Sequence, residues 1–341
     1  MYIFPLACFL LQLENLPPTW STIERQLCTI LFPGPRGWMI PQVLSSLKRL
    51  GFPAEVSDAA ATSTASKCRV HRWENLAYGG LNVKERHRTL EATIADSEWV
   101  NRRTVWASWL GNNFLRNLNH AWGQIENIAS KQRLSPDHLL KKEGEEEVPK
   151  EAWQKRCLSE LRTSHTESLH RHFRRRLDVW KVPVLPGQRV QRALNMLGGL
   201  IKFVSPRIWA TILRTLCDGW TTHRRMQRQG PCLFGCRFGD DSIAHYASCT
   251  VLNNLMWCKF KLDHLPAENQ LAGFLLLEPY WKEGREEVVA RRALGVYATF
   301  MACNKVRNGL ALCTSDVWLQ CMRDGAASSK KLPVISNQLW T

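Results

Sequence analysis

Cys232, Cys236, His245 and Cys249 form the most distinctive pattern of this sequence, C-x3-C-x8-H-x3-C. Thiolates and imidazoles are the ligands that zinc prefers, in tetrahedral geometry with bonds of about 2.0–2.3 Å. Two ligand pairs separated by a loop can converge on a single ion in that geometry. We therefore predict one structural Zn²⁺ ion bound by these four residues.

Short local structures must bring the two ligand pairs together. Gly235 suits a tight turn after the first cysteine, because glycine accepts backbone angles that other residues avoid. Residues 243–249 are predicted to form a helical turn, on which His245 and Cys249 share a face. Three thiolates and one imidazole would fill all four coordination positions and leave none for water. The predicted site is therefore structural and not hydrolytic.

The sequence leaves the exact ligand set open. Cys258, His264 and His223 lie close enough to replace one of the four ligands. The alternative for the whole pattern is four residues without a metal, in a chain with 12 cysteines. The other cysteines show no spacing of a disulfide framework, which favours a reducing, intracellular compartment, either nuclear or cytoplasmic.

Asp240 and Asp241 lie between the two halves of the predicted zinc loop. Such a pair resembles the acidic residues of a template-directed polymerase, which need flanking hydrophobic strands to aim both carboxylates at metal ions. No such strands are indicated here. We predict instead a solvated turn with acidic residues at the start of the next helix, and no catalytic residue.

Basic residues are concentrated in one part of the chain. The formal net charge is +16, and residues 151–230 contain sixteen Lys or Arg against five Asp or Glu. Such an uneven positive charge indicates a polyanionic partner, here RNA or DNA, contacted through its phosphates with little sequence preference. The alternative is an exposed basic helix face without a partner. The candidate contact residues are Arg171, Arg174, Arg175, Arg176, Arg224, Arg225 and Arg228.

Apolar spacing predicts a mostly α fold: helical bundles with a small CCHC zinc-binding knuckle, in two subdomains joined by a charged linker. Residues 1–134 are predicted to be an N-terminal helical domain and residues 135–152 a mobile, charged linker. Residues 153–260 are predicted to be a basic helical region with the knuckle, and residues 261–341 a C-terminal helical segment. The linker is poor in apolar residues and rich in charge, so it cannot offset its ordering entropy.

Individual elements are also indicated. Residues 153–180 are predicted to form one long helix, and Ile208, Ile212, Leu216 and Trp220 are spaced by four along another. The aromatic residues within 83–128 are interpreted as core anchors, with stacking on nucleobases as the alternative. Residues 1–13 are apolar but too short for a membrane helix, and they lack the basic and small residues of a signal peptide.

This pattern resembles the C-terminal, post-palm region of a non-LTR retrotransposon reverse transcriptase. Proteins of that family often carry a C-x2–3-C…H-x3–4-C zinc motif in basic helical sequence beyond the polymerase domain. The four predicted zinc ligands match this motif position by position, and Trp220 with the arginines before Cys232 fits its usual approach. Residues 16–18, Glu24, and residues 34–38 and 47–53 are similar to the thumb-like region after the palm.

The resemblance implies a zinc-stabilised tail that binds template RNA or target DNA. The family's catalytic strand, Tyr or Phe followed by Ala-Asp-Asp, is missing from this sequence, as is its upstream metal-binding Asp. The chain would then be a remnant or a separately encoded tail without polymerase activity. Two alternatives remain: a helical scaffold whose basic face meets an acidic protein, and a degenerate polymerase or metal-dependent nuclease.

Overall fold

The described part of the chain is helical. The computed structural model describes residues 19–35, 37–48, 50–52, 58–77, 112–149, 152–182, 186–237, 239–260, 265–277, 286–311 and 314–329. Within these ranges no β-strand is present, only an isolated antiparallel bridge between Pro231 and Asp240. The mostly helical fold class is confirmed.

The described residues contain thirteen α-helices and one short 3₁₀ helix. In chain order they are α1 (Trp20–Leu31), α2 (Pro41–Leu44), α3 (Ala59–Ala77), α4 (Asn112–Lys131), α5 (Pro136–Leu140), α6 (Trp153–Leu177), the 3₁₀ helix Asp178–Trp180, α7 (Pro186–Leu200), α8 (Pro206–Leu216), α9 (Ile243–Ser248), α10 (Thr250–Phe260), α11 (Ala267–Phe274), α12 (Glu286–Arg307) and α13 (Thr314–Ala327).

The chain divides into two compact units, each with its own core. The first comprises Met1–Ile23 and Ser57–Ser168, and the second comprises Glu24–Val56 and Leu169–Thr341. This division differs in position from the segments predicted by composition. It falls within α6 and not in the charged stretch before that helix.

The first unit is built around α3 and α4, which pack against each other. Cys68 of α3 donates a hydrogen bond from its thiol to the carbonyl oxygen of Ala121 in α4, at 3.3 Å. Ile125 and Trp153 are buried in the same core. The pairing of these helices rests on small and apolar side chains that allow close approach.

The charged stretch at residues 135–152, predicted to be a mobile linker, begins with the short helix α5 and is described except at residues 150 and 151. Leu140 and Val148 are buried in the core of the first unit. Arg156 of α6 donates two hydrogen bonds to the carboxylate of Glu145, one of them at 2.6 Å. Two apolar anchors and one ion pair therefore hold a segment whose composition alone indicates disorder.

The second unit has a core formed largely by α7, α8, α12 and α13. Helix α12 packs against α13, α8 and α7, and one face of α8 is buried through Ile208, Ile212 and Leu216. Trp220 lies beyond the end of α8 and not within it as predicted. Its fully buried ring contacts the rings of Tyr246 and Phe300, at centroid distances of 6.1 and 5.2 Å.

Several predicted features lie outside the described residues: residues 1–13, the tryptophans at 99, 106 and 109, and His264. The predicted helix at 153–180 is confirmed, with its last three residues in 3₁₀ form. Among the described helices, none combines the length and apolar character needed to cross a bilayer.

Candidate metal centre

A closed loop carries the first pair of cysteines. The bridge between Pro231 and Asp240 closes its base, and the backbone N–H of Cys232 donates to the carbonyl oxygen of Gly239 at 2.9 Å. Gly235 has a φ of +74°, and its N–H donates to the carbonyl oxygen of Cys232 at 3.1 Å. The predicted turn is present, and its left-handed conformation explains why a glycine occupies position 235.

A short helix carries the second pair. Ser242 caps α9 by accepting a hydrogen bond from the backbone N–H of His245 at 3.1 Å. The helix ends at Ser248, and Cys249 follows directly as its C-cap residue. The capped turn fixes His245 and Cys249 relative to each other, close to the predicted arrangement at residues 243–249.

Three of the four predicted ligands converge. The donor atoms of Cys232, His245 and Cys249 all lie within 4.8 Å of one another. The two sulfurs are 3.8 Å apart. Two thiolates on a tetrahedral zinc ion, each with a bond of about 2.3 Å, are separated by about 3.8 Å. The distance between the sulfurs therefore equals one edge of a zinc tetrahedron, and the buried group could bind a metal ion such as zinc.

The imidazole of His245 also fits a cation. Its Nε2 is buried and has no hydrogen-bond partner among the described residues. A buried nitrogen without a partner costs free energy unless a ligand or metal ion binds it. Gly239 packs so closely against this ring that a Cβ at that position would overlap the ring atoms. The glycine thus leaves room for the imidazole to sit beside the two sulfurs.

The electrostatics of the sulfurs favour a cation. The hydrogen bond with Cys249 lowers the pKa of the Cys232 thiol, and backbone N–H groups of Phe234 and Cys236 add to that effect. The same interaction raises the pKa of Cys249, and burial raises it further. One sulfur is therefore readily ionised while the other keeps its proton, and a divalent cation would allow both to ionise.

The remaining ligand candidates are placed differently. Cys236 is partly exposed and lies outside the converging group, although it is close enough to influence the pKa of Cys249. His223 is engaged elsewhere, with its Nδ1 at 2.7 Å from Asp241. Cys258 is exposed on α10. The structure thus brings together three of the four predicted zinc ligands and leaves Cys236 beside them.

Asp241 differs from the prediction of a solvated turn. It is fully buried and not part of a solvated turn. Its carboxylate accepts hydrogen bonds from Arg307 Nε and Nη2 at 2.9 and 2.5 Å, and from Tyr246 Oη at 2.6 Å. It also accepts from the backbone N–H of His223 at 2.9 Å. Asp240, by contrast, is half-exposed, with a side-chain exposure of 47%.

The charge of Asp241 is stabilised by these partners. Burial alone would raise its pKa, but the hydrogen bonds from Arg307 and Tyr246 and the charge of Arg307 outweigh burial and lower it. No local signal in the sequence marks this pair, because 66 positions separate Asp241 from Arg307. The one weak signal is a carboxylate directly before a serine helix cap.

The predicted nucleic-acid contacts fall on two segments of the second unit. On α6, Arg171, Arg174 and Arg175 are exposed, whereas Arg176 is partly buried and donates to the carbonyl oxygen of Gly37. Burial lowers the pKa of Arg176. Three arginines on this helix are therefore accessible to a partner, and the fourth helps to fasten the helix to the 33–38 loop.

The second segment is the turn at residues 223–228. Arg224 is 68% exposed and lies 3.8 Å from Asp240, while Arg225 pairs with Asp218 at 2.6 Å. Arg228 is exposed. The pKa of Asp218 lies above its ordinary value, because the effect of burial exceeds the opposing effect of the charges of Arg225, Arg176 and Arg224. Arg225 is therefore held by Asp218, whereas Arg224 and Arg228 are accessible to a partner.

The centre belongs to the core of the second unit. Cys232, Phe234, Tyr246 and Cys249 are buried members of the same cluster as Trp220. The centre is therefore part of this core and not a separate module. Comparisons with family models, with curated proteins and with solved structures each find no match for this chain.

Proposed function

We propose that Cys232, His245 and Cys249 bind one structural Zn²⁺ ion, with the thiolate of Cys236 as the fourth ligand. The distance of 3.8 Å between the sulfurs of Cys232 and Cys249 carries this proposal. Zinc would cross-link the loop and α9, which is the usual role of a site closed by protein ligands. Cys236 is partly exposed on the same loop, four positions after Cys232, and we assign its thiolate to the fourth position.

We further propose that the second unit binds nucleic acid through phosphate contacts. The observation that carries this proposal is the set of exposed arginines on α6 and on the turn at residues 223–228. Arg171, Arg174 and Arg175 stand exposed on one segment, and Arg224 and Arg228 on the other. Exposed arginines attract a polyanion, and phosphates release counterions on binding.

A concave surface next to the metal centre supports this location. An open depression of about 720 Å³ is lined by Arg224, Arg228, Gly239, Asp240 and His245, among others. Its wall is therefore formed jointly by the basic turn and by the loop that carries the first cysteine pair. A backbone phosphate could enter this depression and meet both exposed arginines.

The resemblance to the C-terminal region of non-LTR retrotransposon reverse transcriptases remains part of this proposal. On that basis the chain would hold RNA or DNA for a polymerase core located elsewhere. The arrangement of Asp241 argues against a polymerase or nuclease site at this loop. Its carboxylate is occupied by Arg307 and Tyr246, so it does not face an open metal position together with Asp240.

Salt titration tests the nucleic-acid proposal. The full chain is titrated with a fluorescent single-stranded RNA and with DNA at increasing potassium chloride, and the logarithm of affinity is plotted against the logarithm of salt concentration. Arg224→Gln with Arg228→Gln should flatten the slope by about 0.7–0.9 for each phosphate that is no longer neutralised. The same flattening should appear with both nucleic acids, since phosphates are common to them.

Lys131→Gln provides the matched control, because this exposed lysine lies on α4 of the first unit. It should leave the slope unchanged. An equal effect of the control and the arginine variants would contradict the proposed surface. A polyglutamate peptide that binds as tightly as RNA at every salt concentration would favour the acidic-protein scaffold instead.

A further inference from the structure

Cys232 and Cys249 are close enough to react with each other. Their sulfurs lie 3.8 Å apart, and both residues are present as free thiols. A disulfide has a bond of about 2.05 Å, so the sulfurs must approach by less than about 2 Å. We propose that this pair is a site of reversible oxidation, at which hydrogen peroxide or a similar two-electron oxidant closes a disulfide across the loop and α9.

The surroundings favour this pair over other thiols nearby. Gly239 and His245 line the open depression beside the loop, and the donor nitrogen of His245 lies within 4.8 Å of both sulfurs. Cys68 of the first unit also faces a second thiol, Cys157, but the Cys68 thiol donates its hydrogen bond to the carbonyl oxygen of Ala121 at 3.3 Å. Cys258 is exposed and has no described sulfur within hydrogen-bonding distance.

One molecule of hydrogen peroxide is the only co-reactant that this oxidation needs. The sulfur of Cys232 attacks one oxygen of hydrogen peroxide, the O–O bond breaks, and the products are a sulfenic acid and water. The sulfur of Cys249 then attacks the sulfenic sulfur, an S–S bond forms, and a second water leaves with the remaining thiol proton. Both cysteines are oxidised by one electron each, and the peroxide is reduced by two.

Closure of the disulfide would remove two of the three converging donors. A metal ion at this site would be released, because a disulfide sulfur is no longer a thiolate ligand. The proposal does not depend on the metal, since backbone hydrogen bonds of the loop and the capped start of α9 hold the two cysteines close together. The zinc proposal and the disulfide proposal can therefore be refuted independently of each other.

Tryptic mapping of the full chain tests the site. Reduced protein, both as purified and after treatment with a chelator, is exposed to hydrogen peroxide, alkylated and digested. Trypsin cleaves after Arg228, Arg237 and Lys259, which separates Cys232 from Cys249. We expect the peptides 229–237 and 238–259 to be linked through Cys232 and Cys249, and dithiothreitol to restore both free thiols.

Other products would overturn the proposal. A link within 229–237 would join Cys232 to Cys236, and a link within 238–259 would join Cys249 to Cys258. Full alkylation of Cys232 and Cys249 after peroxide treatment would also refute it. Cys258→Ser should leave the expected link intact, whereas Cys249→Ala should abolish it and allow dimedone to trap a sulfenic acid at Cys232.

Discussion

At the scale of single residues, Asp241 determines how the basic turn and α12 are held together. Its backbone carbonyl accepts from the N–H of Arg224 at 3.3 Å, and its side chain binds His223, Tyr246 and Arg307. A carboxylate has about four acceptor positions, and these partners use them fully. A buried ion pair of this kind is costly to break, because the charge of the remaining partner stays buried without water or a counter-ion to stabilise it.

Replacement of this carboxylate should be strongly destabilising. Asp241→Asn keeps the shape but leaves Arg307 as a buried charge without a counter-ion, so the free energy of unfolding should fall by about 3–5 kcal/mol. Chemical denaturation followed by tryptophan fluorescence measures this change. Asp240→Asn is the matched control, since that half-exposed pair with Arg224 should contribute less than about 1 kcal/mol. Similar losses in both variants would contradict the role of Asp241.

Glu145 offers a second test at this scale. Hydrogen bonds from Arg156 and from the backbone N–H of Lys142 lower its pKa to about 2. The contribution of the pair to stability is therefore complete above the ordinary glutamate pKa of about 4.3 and disappears as the pH falls through the folded-state value. In the Arg156→Met variant the pKa of Glu145 should rise towards the ordinary value.

Carboxyl-detected NMR titration measures that pKa directly. Lys155→Met is the control, because it removes a positive charge from the adjacent, exposed position on α6. Its effect on Glu145 should be small. An unchanged pKa in the Arg156→Met variant would show that residues 141–149 are not held by this ion pair.

At the scale of elements, the loop 231–241 and α9 meet where Gly239 touches the ring of His245. A side chain at position 239 would displace the imidazole from the two sulfurs. Gly239→Ala should therefore weaken zinc binding by about 10- to 100-fold, as expected for a change beside a metal ligand. Competition with a chromophoric chelator measures the affinity.

Gly235→Ala is the control for this loop. Gly235 has a positive φ, but a methyl group on its Cα would have no neighbouring atom within 4 Å, so alanine costs only backbone strain there. It should lower stability by about 1 kcal/mol and leave zinc affinity much less affected. Equally weakened zinc binding in the two variants would show that loop strain, and not contact with His245, controls binding.

The sequence predicted these elements unevenly. The turn at Gly235 and the helix with His245 were predictable, because both depend on residues a few positions apart. The packing of Leu140 and Val148 was not, because it depends on a core formed by distant helices. The burial of Asp241 was missed for the same reason: its partner Arg307 lies on α12, far along the chain.

At the scale of the whole molecule, the candidate metal centre and the core of the second unit share residues. Trp220 contacts Tyr246, and Tyr246 contacts both Phe234 and His245. Removal of zinc should therefore lower the thermal stability of the whole second unit and not only loosen the loop. Binding free energy is folding free energy where the site forms only on folding.

Circular dichroism in the near ultraviolet can follow this effect. The protein as purified should contain one zinc ion per chain, and a strong chelator should lower the melting temperature reported by the buried tryptophans. Readdition of zinc should restore it. A melting temperature that is unchanged after proven zinc removal would contradict the shared core.

The close contact between Gly239 and His245 gives this protein a wider signature than the four proposed ligands. A recognition pattern can add glycine at 239, aspartate at 241 and tyrosine at 246 to the C-x3-C-x8-H-x3-C spacing, with a distant arginine equivalent to Arg307. Chance occurrences of cysteine and histidine would rarely satisfy all of these requirements. Genome surveys with such a composite pattern would separate true kin of this protein from the many unrelated zinc modules.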